Sequence, residues 1–154
     1  MKERKIMPFD KNFVPALRFA VMSDIHIDDE DCIEEQRFAK ALDDLKNLCS
    51  SDERYSGFDA LVIVGDFASR GSEIQMRKVK KILDAGLPAD VRLIMTMASH
   101  EYMTDGEENA LRRFDEIFGL TPDTHAVING FDFIAVTTTG GCCLLYTSPS
   151  PRDA

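Results

Sequence analysis

The sequence lacks a hydrophobic run long enough for a transmembrane helix. Its first 17 residues are charged and interrupted by Pro8 and Pro15, unlike a signal peptide. Basic side chains are also scarce: 18 Lys and Arg stand against 27 Asp and Glu, for a formal net charge of -9. Proteins that bind nucleic acid mainly through its phosphates need clustered Lys and Arg, so no stable nucleic-acid partner is expected. We expect a cytoplasmic protein that does not bind membranes.

The cysteines lack the spacing of a zinc site, so we expect Cys32, Cys49, Cys142 and Cys143 to be free thiols. Internal repeats and low-complexity linkers are absent as well. With 154 residues, 44% of them hydrophobic and 29% charged, the chain has the composition of one ordinary globular domain.

Three apolar runs end in polar groups that can bind a metal. The run RFAVMSDIHID ends with Asp24 and His26, DALVIVGD ends with Asp66, and VRLIMTMASHE ends with His100 and Glu101. In an extended strand, residues two apart point to the same face, so Asp24 and His26 can face a common point. Ligands of parallel α/β sheets bind at the carboxyl ends of the strands, which is where all these groups fall.

The pattern predicts an α/β fold. Strands are expected at residues 18–23, 59–65 and 91–97. Helices are expected from the acidic residues 28–31 to about Ser50, from a Ser72–Gln75 capping box to Gly86 and Pro88, and from Glu107 to Phe118. Alternating strands and helices predict parallel strands joined by right-handed crossovers. Asn129-Gly130, between HAVI and FDFIAV, predicts a closing antiparallel hairpin.

The acidic residues 28–31 have two explanations. Negative charge at a helix N-terminus offsets the macrodipole, and Asp31 with Glu34 resembles a capping arrangement. The alternative is an extra metal site. We favour the helix explanation.

The donors at the strand ends suggest a type of metal. Asp24, His26 and Asp66 supply carboxylate oxygens and an imidazole, a mixture that suits Zn, Mn or Fe better than Ca. A carboxylate between two positions can bridge two ions, and two ions about 3.5 to 4 Å apart can clamp a phosphoryl group. Asp66 would be that bridge.

These motifs resemble those of the calcineurin-like metallophosphoesterases, whose signature is D-x-H, then G-D-x-x, then G-N-H-[ED], each at a strand end. The matching residues are Asp24-Ile25-His26, Gly65-Asp66 and Ala98-Ser99-His100-Glu101, within residues 18–136. The resemblance implies a partial metallophosphoesterase-type α/β sandwich. It also implies two divalent or trivalent ions (Mn, Fe or Zn) and hydrolysis of a phosphomonoester or phosphodiester.

The resemblance assigns a role to each matching residue. Asp24 and His26 would hold the first metal, Asp66 would bridge both metals, and Ser99 stands where the family has an Asn ligand to the second. His100 would lie beside the scissile phosphate, stabilise charge and protonate the leaving oxygen. Arg70 resembles the Arg that some members point at phosphate. Glu101 is expected to support rather than react.

Three departures from the family leave alternatives open. Ser99 replaces the Asn ligand, Ala98 replaces a Gly, and the family supplies further His ligands from a second half of the domain. Here the only other histidine is His125, which we expect to be structural or exposed. The downstream His ligands are therefore expected to be missing, so that the dinuclear site would be incomplete in this truncated chain and a longer gene would supply them. The alternative is a non-catalytic fragment or binding module that holds at most one metal. An unrelated Mg-dependent doubly wound domain would leave His26 and His100 unexplained.

The expected domain organisation follows. Residues 1–17 would be an extended lead-in, and residues 18–141 would be the N-terminal part of a metallophosphoesterase domain. Residues 142–154, CCLLYTSPSPRDA, would be either a natural disordered tail or a non-native segment that resembles translated adaptor or vector sequence. We favour the non-native segment. Neither the substrate nor the oligomeric state is indicated by the sequence.

Overall fold

A computed structural model describes residues 13–51, 53 and 55–137. Its elements, in chain order, are β1 (Phe19–Met22), α1 (Ile33–Ser50), β2 (Ala60–Val64), α2 (Glu73–Gly86), β3 (Arg92–Thr96), a 3-10 helix (Ser99–Tyr102), α3 (Glu107–Phe118), β4 (Thr124–Ile128) and β5 (Phe131–Ala135). The predicted α/β class and element order are confirmed. The predictions for residues 1–12 and 142–154 lie outside the described residues.

The first three strands form a parallel sheet in the order β1-β2-β3. The strands β4 and β5 pair in antiparallel fashion around Asn129-Gly130, and both turn residues have positive φ, 51° and 83°. Positive φ at both central residues is the geometry of the type I′ turn that Asn-Gly favours. The hairpin prediction is therefore confirmed.

One face of the parallel sheet is buried beneath the three α-helices. Leu61, Ile63 and Met95 of the sheet pack into one core with Phe38 and Leu42 of α1 and with apolar residues of α2 and α3. The expected helix signals hold at two places. The capping box of Ser72 and Gln75 begins α2, and Gly119 ends α3 in the left-handed conformation.

The capping prediction for Asp31 and Glu34 is wrong. The N-cap of α1 is Cys32, and its side chain makes no capping hydrogen bond. Asp28 and Asp29 instead turn toward the start of α2, where they accept hydrogen bonds from the side chain of Gln75. These two carboxylates therefore bind a residue that is distant in the sequence.

The hairpin covers only part of the other face of the sheet. Phe133 of β5 packs edge-on against Phe19 of β1, with ring centroids 5.2 Å apart. The hydroxyl of the buried Thr137 accepts a hydrogen bond from the Met97 backbone N–H at 2.9 Å and donates one to the Met97 carbonyl. Val21 and Val64 stay exposed on this face, and Val64 lines a groove of about 320 Å³ that β5 borders.

This exposed apolar face predicts self-association, because water-exposed β surface of this kind tends to pair or aggregate. Sedimentation should show a concentration-dependent increase in mass. The double variant Val21→Thr/Val64→Thr should shift the protein toward the monomer. Ile33→Thr removes an equally exposed apolar side chain from α1 and should change nothing. A wild-type protein that is monomeric at all concentrations would contradict the prediction.

Two further expectations can be compared with the structure. Cys32 and Cys49 are free thiols, as expected. No α-helix among the described residues is both long enough and apolar enough to cross a bilayer.

Candidate metal centre

The carboxyl ends of the parallel strands bring together one carboxylate and two imidazoles. Each of His26, Asp66 and His100 offers one ligand atom, and these atoms lie within 4.8 Å of one another. All three residues are half-buried. The imidazole rings of His26 and His100 pack edge to face, with their centroids 4.6 Å apart. The sequence placed these residues on three separate strand ends, and the fold joins them.

Backbone strain is concentrated at the same place. Asp24, His26 and Asp66 have φ values of 56°, 54° and 50°, in the left-handed region. Among the described residues, the only other non-glycine residue in this region is Asn129 in the hairpin turn. A non-glycine residue in this conformation costs on the order of 1 kcal/mol and persists where the surrounding structure enforces it. Such strain is typical of functional sites.

Backbone hydrogen bonds join the loops that follow β1 and β2. The His26 N–H donates to the Asp66 carbonyl at 3.0 Å, and the Ser69 hydroxyl donates to the His26 carbonyl at 3.0 Å. Ile27 and Ala68 form a parallel bridge just beyond. His26 and Asp66 are thus held close through their own main chains.

The position of the proton on His100 follows from its partner. Nδ1 lies 2.7 Å from the Ser69 carbonyl oxygen, which can only accept, so Nδ1 carries the hydrogen. In the neutral ring, Nε2 is then the atom with the free lone pair. The His100 backbone N–H also donates to Asp66 Oδ1 at 3.2 Å, which orients that carboxylate.

Glu101 has no exposed surface and binds the loops on both sides of the cluster. Its carboxylate accepts hydrogen bonds from the backbone N–H groups of Asp66, Ala68 and Ala98, at 2.9, 3.0 and 2.9 Å. Burial raises the pKa of Glu101 above its ordinary value, although these three donors act in the opposite direction. The contacts agree with the interpretation that Glu101 supports the site.

The other predicted site residues lie around the cluster. Asp24 is exposed, with Oδ1 3.9 Å from Nε2 of His26, and it is not a member of the three-residue cluster. Ser99 is half-buried and begins the 3-10 helix directly before His100. Arg70 is exposed, and its backbone is held by the Gln75 side chain and by the Thr104 hydroxyl, at 2.8 and 2.7 Å.

Sequence reasoning missed the wider role of Gln75. This residue is fully buried, and its Oε1 accepts the Arg70 N–H while its Nε2 donates to Asp28 and Asp29. The capping box predicted only the start of α2. A glutamine that joins both neighbouring loops gives no signal in the sequence beyond that box.

His125 lies away from the cluster, on the hairpin. Its side chain is exposed, and Nε2 lies 2.6 Å from Oδ1 of Asp132 on the opposite strand. The prediction that His125 is structural or exposed is confirmed.

The donor set fits a transition metal. The imidazole nitrogen of His26 and the carboxylate oxygen of Asp66 suit Zn, Mn or Fe. Asp66 Oδ2 accepts no hydrogen bond from the described residues, so it is available to an ion.

Comparison with known proteins gives one finding, which covers most of the chain. Residues 17–148 match the family model described as calcineurin-like phosphoesterase. No match was found among curated proteins. The matched region contains all three strand ends and every residue of the cluster.

Proposed function

The chain belongs to the calcineurin-like phosphoesterase family, and from this premise we propose that it hydrolyses a phosphomonoester or phosphodiester at a dinuclear metal centre. The observation that carries the proposal is the convergence of His26, Asp66 and His100 at one sheet edge. Family membership gives the class of reaction. The cluster supplies donors for it at the edge where α/β proteins bind ligands.

The residues that would hold the metals are those named by the motifs. Asp24 and His26 would hold the first ion, Asp66 would bridge, and Ser99 would face the second. Bound ions of this kind neutralise phosphate oxygens and lower the pKa of a water to about 7, so that it can attack phosphorus. They also explain how a chain with a formal net charge of -9 can bind an anionic ester.

His100 would act on the substrate rather than on an ion. Its Nδ1 is occupied by the Ser69 carbonyl, so Nε2 is the atom left for the phosphate or the leaving oxygen. Protonated at Nε2, the ring would stabilise negative charge and donate a proton to the departing oxygen. Arg70, exposed on the loop that also carries Ser69, would contact the phosphate oxygens.

Metal analysis combined with an activity assay tests the proposal. The enzyme should bind two equivalents of Mn, Zn or Fe per chain and hydrolyse a nitrophenyl phosphate ester, with activity lost on chelation. Less than one equivalent and no turnover would contradict it and favour the non-catalytic module. The position of Asp24 outside the cluster makes this alternative worth measuring.

Ser99→Asn should strengthen the second metal site, because the Asn side chain reaches farther than that of Ser and its amide oxygen is a better metal ligand than a neutral hydroxyl. We expect the dissociation constant of the second ion to fall about tenfold, the size of effect that small changes around a metal produce. Calorimetric titration with Mn would measure it. Ser51→Asn, at the end of α1, is the matched control. No gain in affinity would mean that Ser99 does not face the second ion.

A further inference from the structure

One buried carboxylate connects the two loops that present Asp66 and His100. Oε2 of Glu101 accepts the Asp66 N–H from the loop after β2 and the Ala98 N–H from the loop after β3, each at 2.9 Å. Oε1 accepts the Ala68 N–H at 3.0 Å. No other described side chain accepts backbone N–H groups from both of these loops. Glu101 therefore fixes their separation.

Two glycines allow the loops to come this close. An added Cβ at Gly65 would collide with Cβ of Ala98, and one at Gly71 would collide with the carbonyl oxygen of Glu101. Both glycines have positive φ, 74° and 71°. The backbones of the two loops are thus in direct contact, and no residue larger than glycine fits at positions 65 and 71 without moving them.

The same contact supports a strained residue. Asp66 has φ of 50°, and its N–H group is one of the three that Glu101 binds. Since His100 follows Ala98 by two positions and its own N–H donates to Asp66 Oδ1, a shift of either loop would change the distance between the Asp66 carboxylate and the His100 ring. Without the Glu101 carboxylate, the loops after β2 and β3 would lose the hydrogen bonds that hold them together.

We propose that Glu101 is a positioning residue: by bonding three backbone N–H groups, it holds Asp66 in its left-handed conformation, with its carboxylate placed for metal binding, and fixes the position of His100 beside it. The inference rests on the proposed function, because it concerns the same centre. Glu101 itself contacts neither metal nor substrate.

Glu101→Gln tests the inference with almost no change of shape. The Gln side chain brings an NH₂ donor to a place surrounded by N–H donors, so at least one hydrogen bond becomes a donor–donor contact. Metal affinity should fall at least tenfold, the effect typical of residues that orient ligands. Amide hydrogen exchange at Asp66, Ala68 and Ala98 should accelerate at least tenfold. Glu101→Asp keeps the charge but has a shorter side chain, so its metal affinity and exchange rates should lie between those of the wild type and Glu101→Gln.

A stability-matched control separates positioning from general destabilisation. Leu42→Ala removes a buried side chain that packs near Gly86, at the opposite end of α2 from Ser72. This variant should lose stability and keep its metal affinity and the protection of those three amides. If Glu101→Gln does not fold, Glu101→Asp carries the same comparison.

The outcomes distinguish this inference from the proposed function. Metal binding by the wild type with equal affinity in both Glu101 variants would overturn the inference and leave the function intact. A wild type that binds no Mn or Zn would overturn the function. The exchange rates would then decide alone: acceleration confined to the three amides supports the positioning role, and unchanged rates overturn it.

Discussion

Asp66→Asn is expected to abolish metal binding and any phosphoesterase turnover. Asp66 is the one carboxylate of the three-residue cluster, and the proposal makes it the bridge between two ions. The amide of Asn is neutral and a weaker ligand, so we expect metal affinity to fall about a hundredfold or more, at the upper end of the losses seen for metal-site changes. The fold should survive, because an Asn oxygen can still accept the N–H of His100.

Asp132→Asn is the matched control for this variant. Asp132 is also a carboxylate beside an imidazole, 2.6 Å from Nε2 of His125, but it lies exposed on the hairpin. Elemental analysis and calorimetric titration should show metal loss in Asp66→Asn and none in Asp132→Asn. Unchanged metal content in Asp66→Asn would count against the assigned centre.

Gly71→Ala is expected to cause the largest loss of stability of any alanine substitution considered. Gly71 combines a φ of 71° with a backbone contact so close that a Cβ would collide with the Glu101 carbonyl. The loop must move away from residue 101 to relieve the collision, which also disturbs the hydrogen bonds of Glu101. We expect a loss of about 3 kcal/mol or more in the free energy of unfolding, measured by urea denaturation.

Gly119→Ala isolates the conformational part of that loss. Gly119 has φ of 64° at the end of α3, and nothing lies within 4 Å of an added Cβ. Its substitution should cost about 1 kcal/mol, the usual cost of a left-handed alanine. Equal losses at the two positions would mean that the loop after β2 does not pack closely on residue 101.

The sequence predicted the architecture because each element carries its own signal. These signals are local patterns, and the structure has the expected element at each of them. They are the apolar runs ending in Asp66 and His100, the capping box of Ser72 and the turn at Asn129-Gly130. The convergence of the strand ends then followed from parallel pairing alone. Where the signal was weakest, at Asp31 and Glu34, the prediction failed: Cys32 is the N-cap of α1, and the neighbouring Asp28 and Asp29 bind the side chain of Gln75.

The internal support of the site could not be predicted in the same way. The proton on His100 is fixed by the carbonyl of Ser69, and any residue at that position has a carbonyl. The left-handed backbone conformation of Asp24, His26 and Asp66 could not be predicted, because none of these residues is a glycine. The short 3-10 helix at Ser99–Tyr102 also lacks a periodic pattern, since four residues are too few to show one.

The most direct test of the metal centre is an anomalous difference map from crystals soaked in Mn. The account predicts a strong peak within coordination distance of His26 Nε2 and the Asp66 carboxylate, with Asp24 drawn toward it. A map whose peaks avoid these two side chains, at a Mn concentration that supports turnover, would contradict the account.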